Sequence, residues 1–219
     1  MKMKLTLLCF LVGLGLLLSS HSGCQSKGMP NAQNLPIVSN IDALKEGDIV
    51  FQQSQSSQCK AIRAATGSPW THVGIVFYRN NQWVVLEAIE PVCITPFEEW
   101  TNRSARNTVK RLREGDKVLT KEAISDMWAL GSSWLNRHYD IGFAWSDEEM
   151  YCSELVYKLY ERELGLVIGE RKQLKEYDLS SPIVKKIMKQ RYGGSIPYDE
   201  WMISPGAMFD SPVLMEIPI

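Results

Sequence analysis

Two β-rich runs placed back to back constrain this chain more than any other feature. Residues 71–78 (Thr-His-Val-Gly-Ile-Val-Phe-Tyr) and 82–89 (Gln-Trp-Val-Val-Leu-Glu-Ala-Ile) are dense in β-branched and aromatic side chains, and only Arg79-Asn80-Asn81 separates them. Asparagines tolerate the left-handed backbone of a tight turn, so the runs are expected to fold back as neighbouring antiparallel strands. With Asn80-Asn81 as a two-residue turn, Arg79 faces Gln82 and Tyr78 faces Trp83. Continuing the pairing sets Gly74 against Glu87 and His72 against Ile89. Side chains alternate between the faces of a sheet, and directly paired residues share a face. His72, Gly74, Glu87 and Ile89 then lie on one side, with His72 and Glu87 diagonal neighbours. A four-residue turn keeps this register, whereas a three-residue turn shifts it by one and parts the pair.

That contact has chemical content. A carboxylate accepting from one imidazole nitrogen fixes the tautomer, stabilises the imidazolium and leaves the other nitrogen for a proton donor. Cys152, in Tyr151-Cys152-Ser153-Glu154-Leu155-Val156, is the candidate donor. It opens a run in which Leu155, Val156, Leu159 and Leu164 recur at helical spacing before Gly165. A helix N-terminus favours a thiolate through its unpaired N–H groups and partial positive charge. The same N–H groups can bind an oxyanion. Thiol, imidazole and carboxylate so placed are the parts of a cysteine-nucleophile acyl-transfer site. Gly74, beside His72, is expected to clear space where the helix end approaches.

Each part also has an ordinary structural reading, and rivals exist. A cysteine on an apolar helix is commonly a small buried hydrophobe. Cys59 could be the nucleophile instead, since it too can open a helix, and Glu90 or Asp48 could orient the imidazole. Asp147, Glu148 and Glu149 bring negative charge just upstream of Cys152. Ser146 with Glu149 could form a capping box that starts the helix a turn early and leaves Cys152 inside it. His138 is expected to be a charge at a helix C-terminus.

The rest of the chain reads as an α+β domain. A strand over 47–51, a helix over 58–66 stopped by Gly67, and strands over 92–95 and 108–112 accompany the hairpin. A helix over 121–136 carries Ile124, Met127, Trp128 and Leu135, and another runs from Ser181-Pro182 to Gly193-Gly194. Seven tryptophans, Trp70 among them, could line a cleft, though core packing is their ordinary role. The net charge of −1 and the lack of any long basic run give no support for nucleic-acid binding. Lys185, Lys186, Lys189 and Arg191 read as one solvated helix face.

The start of the chain reads as a leader. Lys2 and Lys4 precede an apolar run over 5–18 that is too short to span a bilayer, followed by small and polar residues. Domains are expected at 1–23 (signal peptide), 24–40 (a polar tether) and 41–219 (catalytic domain). Ser22-Gly23-Cys24 resembles a bacterial lipoprotein junction, which would place a lipid on Cys24 and the protein in the cell envelope. His21 stands where that junction usually has an apolar residue, so ordinary cleavage after Ser22 is the alternative. With Cys9 lost and Cys24 the anchor, Cys59, Cys93 and Cys152 remain, an odd number that leaves at least one thiol. Cys59–Cys93 pairing is one arrangement that spares Cys152. There is no Gly-x-Ser-x-Gly, His-Glu-x-x-His, Cys-x-x-Cys or phosphate-cradling glycine loop, so no cofactor and no metal are expected.

Taken together, Gly47-Asp48-Ile49-Val50-Phe51, Thr71-His72-Val73-Gly74-Ile75-Val76, the Glu87 strand and Tyr151-Cys152-Ser153-Glu154-Leu155-Val156 resemble the YiiX/YaeF-like permuted papain-fold amidases of the NlpC/P60 superfamily. The histidine strand precedes the cysteine helix, the reverse of papain's order. The resemblance implies a papain-like, circularly permuted antiparallel sheet packed against a nucleophile-bearing helix. By it, Cys152 would be nucleophile, His72 general base and Glu87 the third polar residue. It implies hydrolysis of an amide through a thioester, in cell-wall peptides for some relatives and on lipid acyl groups for others. A binding lipoprotein with a degenerate site is the remaining class.

Overall fold

The computed structural model describes residues 41–104 and 106–218. The expected signal peptide, the tether and Cys24 lie outside the described residues. The elements in order are β1 (Ile49–Gln52), α1 (Ser57–Thr66), β2 (His72–Arg79), β3 (Gln82–Glu87), β4 (Cys93–Pro96), α2 (Phe97–Asn102), β5 (Asn107–Leu112) and α3 (Gly115–Val118). They continue with α4 (Lys121–Ser132), α5 (Cys152–Leu164), β6 (Lys172–Gln173), α6 (Pro182–Tyr192), β7 (Trp201–Met202), α7 (Pro205–Phe209) and β8 (Leu214–Ile217). Six strands form one sheet in the order β4-β3-β2-β1-β5-β8, antiparallel throughout, and β6 pairs with β7 apart from it.

The hairpin turn sets the register of the sheet's centre. Asn80 and Asn81 have φ of 52° and 61°, both left-handed as a two-residue turn demands. Arg79 pairs with Gln82 and Ile75 with Leu86, so Gly74 and Glu87 come opposite one another in sequence continuation. Both faces of the sheet are covered, which is why β2 is buried from Val73 to Phe77 without alternation. One face carries Ile49, Phe51, Val73, Ile75, Phe77 and Leu86 and packs under α5. The other carries Val50, Val76, Val85 and Val109 and packs under Phe97 and Trp100 of α2.

Helix α5 is buried over its whole circumference from Cys152 to Tyr160, as a central helix must be. It begins at Cys152 and not earlier. The Tyr151 N–H bonds the Glu154 carboxylate at 3.3 Å, and Leu155 N–H closes the first turn onto the Tyr151 carbonyl at 3.0 Å. The alternative start, with a capping box from Ser146 and Glu149, is therefore not the one adopted. Asp147 is instead drawn along the helix by Lys158 and Arg162, at 2.8 Å from each, which neutralises its charge.

Other expectations are corrected. Helix α4 stops at Ser132, four residues short of 136; small residues at 131–133 end it, and Asn136 turns left-handed at φ 67°. Its approach is close, since a Cβ on Gly131 would lie 2.3 Å from Leu86 Cδ2. His138 lies beyond this helix and pairs with Glu90 at 2.7 Å on the surface, so it is not a helix-end charge. Cys59 and Cys93 form no disulfide. Trp70 takes the ordinary role of a core residue, its ring 4.9 Å from that of Phe209.

Candidate active site

The site lies at the end of the sheet where β2 begins. His72, its first residue, and Glu87, the last of β3, meet through Nε2 and Oε2 at 2.6 Å. Glu87 is fully buried, and three further donors converge on its carboxylate. Thr95 Oγ1 donates at 2.6 Å, Trp100 Nε1 donates at 3.0 Å, and Arg103 forms an ion pair with Oε1. Thr95 comes from β4, Trp100 from α2 and Arg103 from the turn after it. The Trp100 ring also lies 6.2 Å from the His72 ring at 29°. Gln52, opposite His72 on β1, donates to the Trp100 carbonyl and ties α2 to the sheet.

These donors decide the charge of the pair. Burial alone would raise the Glu87 carboxyl, but the His72 hydrogen bond, the charges of His72 and Arg103, and the Thr95 hydroxyl outweigh it and hold it at about 2. Burial alone would lower His72. Hydrogen bonds to Cys152 and Glu87, with their charges, overcome that and bring the imidazole up to about 10. The geometry thus favours an imidazolium between a carboxylate and a sulfur.

Cys152 reaches His72 from the first position of α5, where the helix N-terminus points at the end of the sheet. Gly74 does not make room for that helix. A Cβ there would meet Val85 Cγ1 at 2.4 Å and the Leu86 carbonyl at 3.1 Å, so the neighbouring strand takes the space. The reason is the face: α5 packs on the side of Val73 and Ile75, opposite Gly74. Tyr139 stands near the thiol, feels its charge, and has a phenol that burial pushes well above its usual titration range. Its hydroxyl accepts from Gln58 Nε2 at 3.2 Å, which leaves its own proton to donate.

Two of the rival residues, Asp48 and Glu90, are placed elsewhere, while Cys59 lies close enough to Tyr139 to act on its phenol. Asp48 is bound to Arg111 at 2.7 Å under the far strands, and Glu90 is on the surface with His138. Cys59 sits in the first turn of α1, hydrogen-bonded to the capping Ser56. Thr95, Trp100, Arg103 and Tyr139 were not legible as site residues. Thr95 shares a strand face with the position opposite Glu87, but only the β4 register reveals it.

A family model described as the permuted papain-like amidase enzyme, YaeF/YiiX, C92 family, matches residues 43–217. The protein YiiX of Escherichia coli (strain K12) is 41% identical over 173 residues, 78% of this chain and 84% of that protein. A solved structure described as metalloprotein YiiX from Escherichia coli O157:H7 superposes with a TM-score of 0.75 at 41% identity, covering 79% of this chain and 96% of that one. Among the described residues, no group of three or more His, Cys, Asp or Glu side chains is arranged to hold a metal ion. With its sheet, its histidine-before-cysteine order and these matches, the chain belongs to the permuted papain-like amidases of the YaeF/YiiX type, a family of cysteine hydrolases.

Proposed function

We propose that this enzyme hydrolyses an amide bond through a thioester on Cys152, with His72 moving the proton and Glu87 holding the imidazole. The observation that carries this reading is the His72 ring, held through Nε2 by a fully buried carboxylate and close enough to the Cys152 sulfur for the two to act on each other's charge. With the proton already on His72, the Cys152 sulfur attacks the carbonyl carbon as the thiolate of an imidazolium–thiolate pair. The oxyanion forms at the N-terminus of α5, where unpaired N–H groups and the Tyr139 hydroxyl can donate to it. The C–N bond breaks as His72 returns the proton to the leaving nitrogen. Water, deprotonated by His72, then attacks the thioester, the C–S bond breaks, and acid and thiol are released.

Glu87 acts through His72. A carboxylate with four donors cannot rotate, so the imidazole it holds keeps its orientation beside the sulfur. The same reading places the enzyme in the bacterial cell envelope, tethered by a lipid on Cys24 and acting on envelope-derived peptide or acyl amides. Its support is the apolar run over 5–18 and the Ser22-Gly23-Cys24 junction.

The test is iodoacetamide labelling of purified protein across pH, mapped by peptide mass spectrometry, beside a His72→Ala variant. Cys152 is expected to label at pH 6 at least tenfold faster in the wild type than in the variant, while Cys59 and Cys93 do not change. Equal, slow labelling of Cys152 in both proteins would overturn the catalytic assignment and favour a binding role.

A further inference from the structure

A cavity of about 100 Å³ opens beside Cys152, between α1, α6 and the start of α5. Ala61, Ile62 and Ala65 wall it from α1, and Val184, Ile187 and Met188 wall it from α6. Cys152 is itself part of the wall, so whatever fills the cavity is covalently within reach of the sulfur. Among its lining residues Arg191 carries the only formal charge, and its guanidinium is laid over the Phe143 ring, 4.5 Å from the centroid. Arg191 is therefore not part of the solvated face expected from Lys185, Lys186 and Lys189, which are exposed.

These walls discriminate between substrate classes. A cell-wall peptide carries free carboxylates and ammonium groups; of the lining only Arg191, held over Phe143, could pair a carboxylate, and no lining carboxylate could pair an ammonium. A hydrocarbon chain meets no such penalty and gains from leaving water. An apolar cavity of about 150 Å³ accepts a benzene ring, so one of this size has room for roughly four carbons.

We infer that the acyl half of the substrate is an aliphatic chain, which occupies this cavity while its carbonyl is presented to Cys152; the inference rests on Cys152 being the nucleophile proposed above. The acyl group passes to sulfur, so the chain stays in the cavity as the thioester and leaves as a carboxylic acid. Selection by chain length follows, because each enclosed methylene adds its own transfer free energy.

The experiment uses p-nitrophenyl esters of acetate, butyrate, hexanoate and octanoate. Their attack by Cys152 forms the thioester and releases p-nitrophenolate, read as a burst and corrected with Cys152→Ala. A buried methylene is worth about 0.8 kcal/mol, or roughly fourfold in rate. The acylation rate constant is expected to climb by about that factor per carbon from acetate to butyrate, by about one further such factor to hexanoate as the cavity fills, and to stay level from hexanoate to octanoate. Ala65→Leu, which fills the cavity, is expected to lower the hexanoate-to-acetate ratio by roughly tenfold, and Ile187→Trp serves if that variant does not fold. A flat series in the wild type, with Cys152 still acylated by acetate and labelled by iodoacetamide, would overturn the acyl-chain assignment and leave the nucleophile standing. Absence of both acylation and fast labelling would instead remove the nucleophile, and this inference with it.

Discussion

Replacing Glu87 by glutamine removes the charge of the buried pair while keeping its shape. A glutamate that ordinarily titrates at 4.5 is held at about 2 in the folded protein. At about 1.4 kcal/mol for each pH unit, that difference stabilises the fold by about 3 kcal/mol. Breaking a buried, hydrogen-bonded ion pair typically costs about 3–5 kcal/mol. The lower end suits this site, because the Arg103 side chain is 31% exposed and can turn to water once its partner is neutral. The sign follows from a depressed carboxyl: its contribution is complete above about 4.5 and is lost as pH falls through about 2. His72 sets the alkaline edge, since an imidazole raised from 6.5 to about 10 contributes fully below 6.5 and loses its contribution as pH rises through about 10. Both statements describe one pair and are not added. Urea unfolding of the wild type and Glu87→Gln should therefore differ by about 3 kcal/mol at pH 5.5, by roughly half of that at pH 3, and by less at pH 9 than at pH 5.5. A gap below about 1 kcal/mol at pH 5.5, or one that does not shrink at pH 3, would refute an ionised Glu87 paired with an imidazolium.

Two further substitutions probe the frame around the pair. Trp100→Phe keeps an aromatic ring but deletes the indole N–H that donates to Glu87 at 3.0 Å and leaves a void in a fully buried site, so unfolding measurements should show a loss of at least about 2 kcal/mol. The same variant should unfold at a higher pH on acid titration, because one donor to the carboxylate is gone. Gly131→Ala places a Cβ 2.3 Å from Leu86 Cδ2 in a fully buried layer. The forced shift should cost about 1–3 kcal/mol by urea unfolding, while the Cys152 labelling rate, set at the far end of α5, is unchanged.

The parts of this protein that were legible in its sequence are the ones governed by neighbours in the chain. Asn80-Asn81 specify a two-residue turn, and the turn alone sets the alternation that puts His72 and Glu87 on one face. Leu155, Val156 and Leu159 mark a helix by their spacing, and Gly165, at φ 63°, ends it. The choice of Glu87 over Glu90 or Asp48 is of another kind. It depends on β4 bringing Thr95 alongside and on α2 delivering Trp100 and Arg103, and the short run of α2 gave no sign of itself in the sequence. Gly74 shows the same limit, since its place beside His72 was readable but the face that α5 covers was not. Arg191 is the sharpest case, with a charge that the helix pattern assigned to water laid instead over an aromatic ring at a cavity wall. Local pattern determines backbone periodicity and turns, because those interactions span a few residues. The donors that ionise a buried carboxylate, and the walls beside a thiol, come from segments far apart in sequence, and only the packing of both sheet faces brings them together.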